Sequence, residues 1–194
     1  MRRIVAGMTV LAVPLAGCGG QRQDADEPSG TFPVKVDKAS FPSQQRLSQN
    51  VTMRITVRNA GTKTVPNIGV SLVDPKYGTA AEAFAEVSSD PQLASRSRPI
   101  WIVDQGPPGG DTAYSNTWAL GPLAPRRTKT FRWSVTPAKA GTYQIVYRVS
   151  AGLNGKAKAV IPGGQPVTGR FKTTISSVPA PARVDDNGNV VRGG

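Results

Sequence analysis

Residues 51–61 read Val51-Thr52-Met53-Arg54-Ile55-Thr56-Val57-Arg58-Asn59-Ala60-Gly61. Apolar Val51, Met53, Ile55 and Val57 alternate with polar Thr52, Arg54, Thr56 and Arg58. A period of two sends the two sets to opposite faces of a pleated strand, so the segment predicts a half-buried strand ending at Asn59-Ala60-Gly61. The same pattern recurs on either side. Val34-Lys35-Val36 alternates, and residues 67–73 follow Pro66 as another strand. Phe131, Trp133 and Val135, then Tyr143, Ile145, Tyr147 and Val149, then Phe171, Thr173 and Ile175 each form the apolar phase of a strand. Residues 99–104 and 157–161 read as further strands. Turn clusters separate the runs at residues 137–141, 154–155 and 162–164. One helix is expected: Thr79-Ala80-Ala81-Glu82 has capping-box spacing ahead of Ala83, Phe84 and Val87. With 17 Pro and 21 Gly, longer helices are disfavoured. The expected fold is all-β: an antiparallel immunoglobulin-like β-sandwich of about seven to nine strands, with one short helix in a long insertion.

The N-terminus carries a different signal. Arg2 and Arg3 precede a short, mostly apolar run over residues 4–14, then Leu15-Ala16-Gly17-Cys18. An apolar run of about a dozen residues falls short of the roughly 20 that a membrane-spanning helix needs. It has the layout of an export signal. Leu15, Ala16, Gly17 and Cys18 resemble a bacterial lipobox, in which cleavage precedes the cysteine and its thiol carries a diacylglyceryl lipid. Cys18 is the single cysteine, so no disulfide is available to the folded part. The expected organisation is a signal peptide over 1–17, a lipidated Cys18 with a flexible tether to residue 31, a sandwich over 32–178, and a tail over 179–194. In the tail, Asn187-Gly188 between short β-prone arms predicts a two-residue hairpin turn. The expected location is the outer face of the bacterial cytoplasmic membrane, with the Cys18 lipid as the one covalent group and no other cofactor.

Charge is uneven. Residues 32–178 hold 19 Lys and Arg against 7 Asp and Glu, which accounts for the whole net charge of +12. With the apolar phase facing the core, Arg54, Arg58, Arg132, Arg148, Arg170 and Lys172 point outward. They are candidate contacts for an anionic surface, drawn to it in a salt-dependent way. Solubility and protection of sheet edges account for such charges equally well.

Several chemistries are absent. There is no histidine, which removes Ser-His-Asp and Cys-His catalysis, imidazole acid–base work and the usual zinc sites. The carboxylates of the sandwich are scattered, and Glu82 with Glu86 reads as one solvated helix face rather than a hydrolytic pair. Asp185-Asp186-Asn187-Gly188-Asn189 lacks the ligand spacing and terminal Glu of a calcium loop. The Gly106 to Gly110 loop has no Lys and opens no helix, so it is no phosphate cradle. Export argues against nucleic acid as a partner. Trp133, Tyr143 and Tyr147 fall in the inward phase, and Tyr143 is placed for a hydrogen bond to nearby backbone. Trp101, Tyr114 and Trp118 lie in or beside the long 74–125 connection. They read either as packing or as a platform for a sugar ring, the 105–120 loop being where a polymer site would form.

Two sets of residues carry a family resemblance. The first is residues 51–61 followed by Val65-Pro66-Asn67. The second runs from Leu123-Ala124-Pro125-Arg126-Arg127 to Pro137 and on to Ala140-Gly141-Thr142-Tyr143. Together they resemble the CARDB-type bacterial immunoglobulin-like modules. In those, a strand ends at an Asn-x-Gly turn, and a leucine, a Gly/Pro turn and an alternating strand precede a Gly-Thr-Tyr strand start. The likeness spans about half of the sandwich and encodes strand and turn grammar rather than chemistry. This chain has Arg126 where the pattern has Gly, and it inserts residues 74–122. The whole also resembles actinobacterial surface lipoproteins. These resemblances imply a non-enzymatic adhesion or spacer module. Its expected partners are the membrane through the lipid, with anionic lipid, a cell-wall polymer or another envelope protein beyond it. The alternative is a carbohydrate or wall-polymer binder using Trp101, Tyr114 and Trp118.

Overall fold

A computed structural model describes residues 26–73, 83–86, 99–109, 116–188 and 190–192. In chain order its strands are β1 (Gly30–Ser40), β2 (Gln44–Leu47), β3 (Val51–Asn59), β4 (Gly69–Val73), β5 (Phe84–Glu86), β6 (Trp101–Gln105), β7 (Thr117–Ala119), β8 (Thr128–Pro137), β9 (Gly141–Ser150), β10 (Ala157–Val160), β11 (Thr168–Pro179), β12 (Ala182–Val184) and β13 (Val190–Arg192). The alternation of 51–59 is realised in β3, where Val51, Met53, Ile55 and Val57 are buried and Arg54 is exposed. Residue by residue, β3 faces β8, with Met53 opposite Trp133 and Ile55 opposite Phe131. On its other edge β3 pairs with β1.

Two sheets stack. One has six strands in the order β10-β1-β3-β8-β6-β5, the other five in the order β2-β11-β9-β4-β7. The core between them joins Ile55, Val57, Phe131 and Trp133 to Val70, Leu72, Ile145, Tyr147 and Ile175. Aromatic rings fill much of it. Trp133 stacks on Phe131 at 16° and meets Trp118 edge-on at 86°. Trp101 packs on Phe84, Phe41 and Tyr143. The Tyr147 ring lies across Gly169 on the neighbouring strand, where a Cβ would collide with it. Burial there pushes its phenol above the ordinary 10.0. Tyr143 Oη donates to the Ala140 carbonyl at 2.9 Å, the local bond its position after Gly141-Thr142 predicts.

The all-β sandwich agrees with the sequence reading, with four corrections. First, the described residues place eleven strands in the two sheets rather than seven to nine. The strands missed are β2 and β7, of four and three residues, and β5, of three, all too short to display a period. Second, the helix expected over 79–87 is not formed at Phe84–Glu86. That segment pairs in parallel with β6, and Phe84 stacks on Trp101 at 17°. A capping-box spacing is local, and the buried ring stack outweighs it. Third, the sheet is not purely antiparallel, because β10, β5 and β2 join their sheets in parallel. The chain passes from β1 to β2 through Phe41-Pro42-Ser43 and changes sheet without reversing; Pro42 has no N–H to carry the ladder on. Fourth, β12 and β13 pair as a hairpin, but Val184 faces Val190 across five residues instead of two. The Asp185 carboxylate takes the Asn187 N–H, and the Gly188 N–H bonds to the Asp185 carbonyl, which makes a four-residue turn with Gly188 left-handed.

Strand directions give the sandwich two distinct ends. Strands β1, β8 and β11 run away from the end where Gly30 enters. Strands β3 and β9 return toward it. At the opposite end β11 finishes beside β2, and the chain continues into the β12–β13 hairpin, a separate two-stranded sheet.

Candidate functional site

The entry end is built around two polar anchors. The first is Glu27. Its carboxylate accepts the Asn154 N–H and the Ala157 N–H, each at 2.7 Å. The Gly30 N–H adds a bond to the Lys156 carbonyl at 3.0 Å. Gly152 lies directly against this carboxylate, and any Cβ there would occupy its space. Residues 27–31, read from sequence as tether, are therefore held on the sandwich. The reason is non-local: a carboxylate meets a turn of converging backbone N–H groups about 130 residues away. The sequence signal was the Gly-rich turn at 152–155, which names no partner. Glu27→Ala should cost about 1–2 kcal/mol, each bond to the carboxylate being worth little more than a neutral one at a partly exposed site. Hydrogen exchange should speed up at the Asn154 and Ala157 amides; unchanged protection at both would refute the anchor. Gly152→Ala should show the same pattern.

The second anchor is Asn59, which is 1 % exposed. Its Nδ2 donates to the carbonyls of Lys63 and Leu123, both at 2.8 Å, and its Oδ1 accepts the Gly61 N–H at 2.9 Å. Its backbone exchanges bonds with Arg126 and Arg127, at 3.0 Å each. One residue thus ties the 60–68 loop to the 120–127 loop. Arg126 sits at the third position of the Ala124-Pro125-Arg126-Arg127 turn with φ 60°, and the Arg127 N–H closes the turn on Ala124. Pro at the second position and a left-handed third are the signature of a type II turn, where Gly or Asn is favoured. An arginine there carries strain of about 1–2 kcal/mol. Lys63, Arg126 and Arg127 are all exposed at this end. Lys129 is tied back to the Leu120 carbonyl.

The six candidate basic residues are not brought together. Arg54, Arg58 and Arg132 stand on the outer face of the six-stranded sheet, with Arg54 directly opposite Arg132. Arg148, Arg170 and Lys172 stand on the outer face of the other sheet. They face opposite ways, so one coplanar patch is excluded. The two faces also differ in acids. On the six-stranded face two bulges present Asp37 and Asp104. Asp37 pairs with Arg58 at 2.9 Å, while Asp104 accepts from Thr136 and Asn50. On the five-stranded face, Arg46, Arg148, Arg170 and Lys172 have no acid beside them among the described residues.

The aromatic platform expected on the 105–120 loop is also not formed. Trp101 is fully buried, with Nε1 donating to Gln45 Oε1 at 2.8 Å. Trp118 is 2 % exposed and packs on Trp133. Neither offers a face to a sugar ring, because both fill the space between the sheets. Tyr114 lies outside the described residues, as do Leu15, Ala16, Gly17 and Cys18. An open groove of about 410 Å³ at the β1–β2 crossing is lined by Ala39, Ser40, Phe41, Pro42, Thr52 and Phe171, none of them ionisable. Among the described residues no three His, Cys, Asp or Glu gather as metal ligands, and no helix is long and apolar enough to cross a membrane.

No family model matches the chain, and no curated protein matches it. Among solved structures it is similar to the CARDB domain of a Pyrococcus furiosus protein, crystallised with di-metal ions. The identity is 15 % over 75 % of this chain and 86 % of that one, with a TM-score of 0.43. It is also similar to Escherichia coli alpha-2-macroglobulin from domain MG7 to the C-terminus, at 17 % identity over 78 % of this chain and 18 % of that one, with a TM-score of 0.43. A Listeria innocua beta-glucosidase complexed with laminaribiose is 14 % identical over 76 % of this chain and 16 % of its own, with a TM-score of 0.36. Identities this low speak only to fold, and the sandwich assignment rests on this chain's own strand order.

Proposed function

We propose that this chain is an exported, lipid-anchored, non-catalytic spacer and interaction module of the cell envelope. The observation that supports this reading best is the polarity of the sandwich. The chain enters at one end, fixed by Glu27, and leaves toward the β12–β13 hairpin at the other. Strand β8 alone, with 10 residues, separates the ends by about 33 Å. A module anchored through Cys18 would hold its far end and hairpin that distance off the membrane. The complete lack of histidine and the scattered carboxylates agree with a binding or spacing role. Cell fractionation of wild type and Cys18→Ala tests the anchor. Wild type should partition into detergent without residues 1–17, and Cys18→Ala should be released or remain unprocessed. Cys18→Ala protein that stays membrane-bound at the mature size would rule the anchor out.

A further inference from the structure

We infer that the entry end of the sandwich docks on anionic lipid headgroups through Lys63, Arg126 and Arg127, setting the domain end-on to the membrane. This deepens the anchoring proposal and rests on it for its geometry. Three observations converge. Glu27 pins the chain to this end, so eight peptide steps separate Cys18 from Asp26, a reach of at most about 28 Å. The entry end is therefore the part of the sandwich joined to Cys18 by the shortest length of chain. Next, Lys63, Arg126 and Arg127 are exposed there on loops locked together by Asn59. None is paired with an acid among the described residues; Glu27 is spent on backbone N–H groups, which leaves Asp26 as the exposed acid at this end among those residues. Last, Arg126 occupies a left-handed turn position that glycine would hold without strain. A strained residue persists where its side chain is used, and here that side chain is a cation at the rim.

Distance favours the end over the five-stranded face. Arg148 lies opposite Thr168, the first residue of β11, but Arg170 and Lys172 stand two and four residues farther from the entry end. Those steps amount to about 7 and 13 Å. Attraction to a charged surface fades over a Debye length of about 8 Å at physiological salt.

The test uses the unlipidated chain starting at Gly19, which retains every described strand and buried side chain. Its partitioning is measured onto vesicles of phosphatidylcholine alone and of equal parts phosphatidylcholine and phosphatidylglycerol. Binding to the anionic vesicles only is expected. The triple variant Lys63→Gln/Arg126→Gly/Arg127→Gln should lose about 100-fold in partitioning, at about fivefold per cation. The face variant Arg148→Gln/Arg170→Gln/Lys172→Gln, with the same charge change, should lose less than about fivefold. Arg126→Gly alone should bind about fivefold more weakly. Relief of backbone strain should raise its Tm by about 2–4 °C, which separates lost docking from lost folding. Equal losses in the two triple variants, a larger loss in the face variant, or equal binding to both vesicle types would overturn the inference. Because no lipid is attached in this assay, its failure leaves the Cys18 fractionation result standing, and the reverse holds too.

Discussion

Replacing Trp133 by alanine is expected to destabilise the sandwich by about 3–5 kcal/mol. The indole is fully buried, lies opposite Met53 in the β3–β8 ladder, and touches Phe131 face-on and Trp118 edge-on. Removing it takes away the ring around which both sheets pack, and the strand ladders on either side limit collapse into the space. Trp133→Phe should behave differently. The indole N–H of Trp133 has no acceptor among the described residues, so the phenyl ring loses area but also removes an unsatisfied donor. The expected cost is below about 1.5 kcal/mol. Denaturant unfolding followed by far-UV circular dichroism reads both variants. The midpoint of the alanine variant should fall at constant slope. A near-neutral alanine variant would mean that Trp133 is not in the core and that the strand phase is reversed.

The second large effect is expected at Asn59. Asn59→Ala removes three hydrogen bonds at once; the Lys63 carbonyl and the Gly61 N–H lose these partners, and the Leu123 carbonyl keeps only the Val65 N–H. A lost hydrogen bond costs about 0.5–1.5 kcal/mol and an unsatisfied buried group about 1–3 kcal/mol; with the Lys63 and Gly61 groups only part-buried, the total comes to about 2–3 kcal/mol. Asn59→Asp is the sharper test because its shape is unchanged. The oxygen that replaces Nδ2 would face two carbonyl oxygens while the other keeps the Gly61 N–H, and burial beside those carbonyls raises a carboxyl pKa. A pKa raised in the folded state means stability that is present at low pH and lost as pH rises through it. Asn59→Asp should therefore be mildest in acid and at least as unstable as Asn59→Ala near neutrality. A variant with flat pH dependence and near wild-type stability would show that the side-chain bonds do not hold the loops. Because Lys63, Arg126 and Arg127 ride on those loops, the alanine variant should also bind anionic vesicles more weakly than its folded fraction alone accounts for.

The residues behind these two predictions show how far the chain could be read directly. Trp133 falls in the apolar phase of a ten-residue strand, and Asn59-Ala60-Gly61 is a turn signal at the end of another. Period-two alternation and turn chemistry are local properties, carried by neighbouring residues whatever the rest of the chain does. Eight of the strands, the inward aromatics, the outward Arg and Lys side chains and the Tyr143–Ala140 bond were all legible on that basis.

What lay beyond the sequence depends on partners far along the chain. β2 and β7 are strands because β11 and β4 lie beside them, and β5 is a strand rather than a helix because Phe84 finds Trp101. Alternation told that Arg54 and Arg170 point outward, but only the strand order assigned them to opposite sheets. Burial of Trp101 and Trp118 was decided likewise, by the second sheet closing over them. Glu27 is the clearest case. No feature of residues 19–31 marks it, and its role arises when the turn at 152–157 brings backbone N–H groups to its carboxylate. By itself the sequence determined the class of fold and the phase of its strands, since each follows from the order of adjacent side chains. Only the tertiary structure decided which face each charge occupies and which end of the sandwich the chain enters, because strand order and loop docking are set by contacts between residues far apart in sequence, up to 130 positions at Glu27.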